Sequence, residues 1–177
     1  MKDRRHTPIS AFTLANTLKT DRVSENFTVA ELVKSDLAIR RGIDNWFRTE
    51  KQLQNAIRLT RNILQPIRSL LGPFTPNSVY RSQALERILK NKPQDWSSKS
   101  QHTRGEAADI EIQGYTTLEL AQWIAENLNG KYDQLIAEMH MPGVPSSGWV
   151  HVSTVKSGNR GQVLTFDGSK YTNGLSL

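Results

Sequence analysis

The chain has 177 residues and a mass of 20.0 kDa, the size of one domain or of one domain with a short extension. Cysteine is absent, which excludes disulfides and thiolate chemistry, so any metal site must use nitrogen and oxygen ligands. Lys and Arg number 23 against 17 Asp and Glu, a net charge of +6; this favours anionic polymers, but the basic residues are scattered and form no cluster or stacking platform of the kind nucleic-acid binding needs.

Residues 1–25 are polar and aperiodic and read as a loose N-terminal arm. No apolar core follows the positive charges, so the segment does not read as a secretory signal, and no stretch approaches the ~20 apolar residues of a membrane span. The expectation is cytoplasmic synthesis with no membrane span. At Phe27-Thr28-Val29-Ala30-Glu31 a helix begins, with Thr28 as cap and Glu31 completing a capping box. Gly42 and Asn45 interrupt the next stretch. The clearest helix spans about 49–71, where Leu53, Ala56, Ile57, Ile63, Leu64, Ile67 and Leu71 recur at three- and four-residue steps. Pro66 should kink its last turns, and Gly72-Pro73 ends it.

Ser82 is positioned to cap a further helix, and residues 90–101 form a polar loop. Residues 107–112 alternate as a short strand. Residues 116–129 form an amphipathic helix opened by Thr116 or Thr117 and closed near Gly130. Strands are expected over 132–138 and 149–155, joined by a turn-rich loop, with an edge strand near 163–166 and then a loose tail. Helices early and short strands late predict an α+β fold, with a small, mainly antiparallel sheet backed by helices.

Of four histidines, His102 and His151 stand where strands meet polar loops. Asp109 follows His102 by seven positions, and Gly105 permits the turn that would bring imidazole and carboxylate together. Each residue alone also suits a structural or solvated role. Together, two imidazoles and one carboxylate, with a position left for water, match catalytic rather than structural zinc.

Ser100-x-His102-x-x-Gly105-x-Ala107-x-Asp109, with Trp149-Val150-His151-Val152-Ser153, resembles the M15 family of D-Ala-D-Ala carboxypeptidases and phage L-alanyl-D-glutamate endopeptidases. Residues 27–35, Gly42-Ile43-Asp44-Asn45, residues 63–68, Val79-Tyr80-Arg81-Ser82 and residues 132–136 extend the likeness, which is to the M15A-type branch. The resemblance implies a Hedgehog/DD-peptidase fold over residues 26–156, flanked by the arm at 1–25 and an extension at 157–177. It implies one Zn2+ held by His102, Asp109 and His151. Arg81 matches an arginine that holds the substrate carbonyl or developing oxyanion; its other reading is a structural pair with a carboxylate.

Many members carry an acidic general base three residues before the last histidine, where this chain has Gly148. A peptidase needs such a carboxylate, and Glu138, at a strand end, is the first candidate, with Glu106 second. His140 is either a donor near the metal or an ordinary loop residue. Asp133 suits a cap or the partner of a ligand histidine, Ser153 a structural role, and Trp149 a cleft wall or packing. The implied activity is hydrolysis of peptidoglycan stem peptides by zinc-activated water, with action at the cell wall; a phage virion or tail assembly is the implied context. The competing reading is a zinc-binding wall or virion module of the same fold with impaired catalysis. Nucleic-acid binding has only the charge in its favour.

Overall fold

The computed structural model describes residues 1–175, and the last two residues of the expected tail lie outside them. Thr28 opens α1 (Val29–Leu32) through a complete capping box with Glu31, and Ser35 caps α2 (Asp36–Arg40). The long helix expected over 49–71 is one continuous span in three parts: α3 (Glu50–Leu59), a π-helical turn (Thr60–Leu64) and α4 (Gln65–Leu71). Pro66 sits in the first turn of α4. It has no N–H to continue the ladder into the preceding turn, a recognised cause of such interruptions. The apolar stripe of Leu53, Ala56, Ile57, Ile63, Leu64 and Ile67 is fully buried. α5 (Gln83–Leu89) is capped by Ser82 and α6 (Thr117–Asn127) by Thr116.

Five strands form one sheet: β1 (Ala107–Ile110), β2 (Gln134–Glu138), β3 (Trp149–Ser153), β4 (Gln162–Phe166) and β5 (Tyr171–Asn173), in the order β1-β3-β2-β4-β5. The fold is α+β, but the expectation of a mainly antiparallel sheet is corrected: the sheet is mixed, because β4 runs parallel to β2. Both edges of β3 are already taken by β1 and β2. The next strand cannot add to β3 and joins the outer edge of β2. Turning back after β3, it runs against β3 and hence along β2. Nor is it an edge strand, since β5 pairs outside it.

The register lines up two transverse rows on one face of the sheet. One row contains Asp109, His151, Ile136 and Leu164. Two residues along, the other contains Trp149, Glu138, Phe166 and Tyr171. Helices α3 and α6 and the π-turn share the core with β1, β2 and β3.

The first 25 residues are not loose. Phe12 and Val23 are fully buried in that same core, with the Arg4 guanidinium 3.8 Å from the Phe12 ring centroid. Arg61, on the π-turn, donates to the carbonyls of Val23, Thr7 and Arg4. Ile9 and Leu14 pack against the same core, and one arginine satisfies backbone carbonyls on both sides of them. Among the described residues no helix is long and apolar enough to cross a membrane.

Candidate metal centre

His102 lies on a single 3-10 turn (Gln101–Arg104) whose cap, Ser100, accepts from the His102 backbone N–H. Gly105 closes the turn at φ +70°, and a Cβ there would stand 2.4 Å from the carbonyl oxygen of Gln52. Glycine is thus required by both its backbone angle and its contact with α3. Gln52 and Asn55 of α3 clamp the turn by donating to the carbonyls of Thr103 and Arg104. From there the chain enters β1, where Asp109 is directly opposite His151 of β3.

These three side chains converge. Asp109 Oδ1 is 3.1 Å from His102 Nε2 and 3.0 Å from His151 Nδ1, and the two nitrogens are 3.3 Å apart. Their residues are only 2%, 5% and 8% exposed for His102, Asp109 and His151. A tetrahedral zinc with bonds of about 2.0–2.1 Å needs donor atoms about 3.3 Å apart, so this buried group could hold a metal ion.

Neighbouring groups aim these donors. His102 Nδ1 is 2.7 Å from the Val79 carbonyl oxygen; as an acceptor, that oxygen requires the proton on Nδ1 and leaves the Nε2 lone pair for the cluster. Burial lowers the pKa of His102 against the pull of Asp109, favouring the neutral ring a metal requires. Burial would raise the Asp109 carboxyl, but His102 and His151 outweigh it and hold the group well below the usual carboxylate range.

Arg81 donates to the other oxygen of Asp109, Oδ2, and also to Ser78 Oγ at 2.7 Å and to the buried Glu86 at 3.2 Å. Each guanidinium nitrogen therefore has a protein partner. Glu86 is further tied to Ser98 Oγ at 2.8 Å. In the sequence it reads as no more than a helical acid, since burial in mid-helix opposite an arginine has no local signature.

Of the candidate bases, Glu138 reaches the cluster. Its Oε2 is 3.8 Å from His151 Nδ1 and accepts from Trp149 Nε1 at 3.2 Å. Trp149 lines the cleft as well as orienting this carboxylate. Glu106 points to the helical side, bonded to Asn55 and Arg104, and is not part of the cleft wall. His140 is also outside that wall; it is 1% exposed, with Nδ1 3.2 Å from Ser147 Oγ. Asp133 contacts neither histidine. It binds Arg160 and Gln101, and the Val79 carbonyl takes the orienting role expected of it. Ser153 Oγ accepts from the Gln134 N–H. Gly148 explains the missing acid: at φ +72°, a Cβ would overlap the Glu138 carbonyl oxygen at 1.9 Å.

The group lies in an open cleft of about 690 Å³. An α+β domain with a buried His–Asp–His group at a cleft, and a carboxylate beside it, has the make-up of a metallohydrolase. The Peptidase M15 family model matches residues 25–153, and the chain belongs to that family, which implies a hydrolase. Comparison with curated proteins gives no match.

Proposed function

We propose that the chain is a zinc peptidase that hydrolyses amide bonds in peptidoglycan stem peptides, with His102, Asp109 and His151 as metal ligands and Glu138 as general base. The observation that carries this reading is the convergence of three buried donors with Glu138 3.8 Å from one of them. Zinc in such a site supplies Lewis acidity, which acidifies water and polarises a carbonyl.

The chain's own groups do the rest. His102 is held in one tautomer by Val79, and Asp109 presents one oxygen because Arg81 occupies the other. Glu138, steadied by the Trp149 indole, takes the proton of the attacking water and returns it to the leaving amine. Arg81 fixes Asp109 with three of its five N–H groups engaged on protein partners, and as a lining residue of the cleft it is also placed to donate one of the others to a substrate carbonyl. The cell-wall substrate rests on family membership and on the net charge of +6, which suits an anionic polymer.

The test is release of new amino groups from purified peptidoglycan by the zinc-loaded chain, alongside Glu138→Gln with its zinc content measured. Glu138→Gln should keep its metal and lose at least about 100-fold in turnover. Equal inactivity of both proteins, each carrying zinc, would favour a non-catalytic binding module.

A further inference from the structure

Residues 139–148 join Glu138, the last residue of β2, to Trp149, the first of β3, and those two are paired across the strands. The loop is exposed from Met141 to Ser146, and His140 is its one buried residue. The His140 backbone N–H donates to the Phe166 carbonyl of β4 at 2.9 Å, which fixes the root of the loop to the sheet. Its ring nitrogen Nδ1 is 3.2 Å from Ser147 Oγ, near the other end of the loop. That hydroxyl is a hub: it accepts from the Met141 N–H at 2.7 Å and is 2.7 Å from the Val144 carbonyl oxygen. Two oxygens approach so closely only with a proton between them, so the hydroxyl proton points at Val144. His140 Nδ1 is then the donor to Ser147. The bare Nε2 is left buried with no hydrogen-bond partner.

An unpaired buried nitrogen is costly, and an apolar ring at this position would avoid the cost. The imidazole closes a circuit between the two ends of the loop instead. Gly148, next to Ser147, packs directly against Met139 and the Glu138 carbonyl, so the place of Ser147 sets how the chain enters β3. The residue after it, Trp149, gives the Glu138 carboxylate its one hydrogen bond among the described residues, from Nε1 to Oε2.

Resting on the peptidase reading above, we infer that His140 is a positioning residue for the general base: by donating to Ser147 it locks the β2–β3 loop in the shape that sets the Trp149 indole against Glu138. A glutamate side chain is flexible, and one hydrogen bond from a fixed indole selects the arrangement that brings its oxygen beside His151. Without the lock the indole is less firmly placed, and a small displacement of a base is enough to slow proton transfer. His140 is not part of the cleft wall, so its effect reaches the reaction through Ser147 and Trp149.

The test compares zinc-loaded His140→Phe, Ser147→Ala and His140→Asn on soluble peptidoglycan fragments, counting amino groups released. Amide hydrolysis frees an amine whether the chain acts at the end of a peptide or within it. His140→Phe and Ser147→Ala should each lower kcat about tenfold while KM stays within about twofold, and the double variant should lose no more than either alone. His140→Asn, whose amide nitrogen takes the place of Nδ1, should return kcat to within about threefold of wild type. In the Glu138→Gln background, His140→Phe should change the residual turnover by less than about twofold. Independently of turnover, NMR follows exchange of the Trp149 indole N–H with water, the signal being assigned by its loss in Trp149→Phe. Exchange should be about tenfold faster in His140→Phe and Ser147→Ala and near the wild-type rate in His140→Asn. Wild-type kcat and exchange in Ser147→Ala, or a fall in kcat without faster exchange, overturns the inference. If no protein, wild type included, releases amines while the exchange rates follow this order, the peptidase reading fails and the coupling of His140 to Trp149 stands.

Discussion

The ring of His102 is oriented by the main chain of Val79, whose carbonyl oxygen stands 2.7 Å from Nδ1. Because Val79 directly precedes the Tyr80-Arg81 pair that fixes Asp109, one short segment orients two of the three donors. Removing a donor should therefore abolish metal binding without dismantling the scaffold. His102→Ala should retain under a tenth of the wild-type zinc after dialysis. It should also lose the zinc-dependent rise in Tm, a stabilisation of about 2.7 kcal/mol for the wild type at 100-fold over Kd. Atomic absorption and thermal melts with and without zinc check both.

Gly148 leaves no room for a side chain. Its φ of +72° and the 1.9 Å overlap with the Glu138 carbonyl mean that Gly148→Ala forces β2 and β3 apart. A loss of about 2 kcal/mol or more is expected from the strained backbone and the clash. Gly148→Glu should be worse in both stability and turnover. Urea denaturation measures the first, and an unchanged midpoint would refute the local account.

Asp133 provides a pH signature. Hydrogen bonds from Arg160 hold its carboxyl below the usual carboxylate value, against burial that would raise it. A carboxyl depressed in the folded state contributes stability that is present above its unfolded pKa of about 4 and is lost as pH falls through the folded value. Asp133→Asn should cost about 2 kcal/mol near neutral pH. The gap to wild type should narrow steadily below pH 4, as measured by denaturant melts across the acid range.

The N-terminal segment should matter for folding. Phe12 is fully buried under Arg4 and near Arg61, so Phe12→Ala should destabilise the protein by about 3–4 kcal/mol. A change below about 1 kcal/mol would mean that the segment is only loosely docked.

The sequence made some of this legible and not the rest, for physical reasons. His102, Gly105, Asp109 and His151 could be found because their two motifs resemble those of the M15 family; by spacing alone each suited a structural role as well. Glu138 could be proposed because it ends a strand beside the last histidine. Phe12 and Val23 lie in no helix or strand long enough to set a period, so periodicity carries no signal there; contacts with residues distant in sequence, such as Arg61, go with their burial. The parallel pairing of β4 with β2 was likewise hidden, since strand order depends on which edges are already occupied. Arg81 showed its position but not its partners. Glu86 and the Val79 carbonyl gave no signal, one being an ordinary helical acid and the other a backbone atom.

The bond between β2 and β4 also bears on how the protein can be shortened. A chain ended after Ser153 would strip away β4 and β5 and bare the main-chain donors and acceptors along the outer side of Gln134–Glu138. It would also remove the arginine that neutralises Asp133. Naked edges of that kind recruit strands from neighbouring molecules. The truncated product is expected to precipitate or self-associate where the longer one stays monodisperse in light scattering.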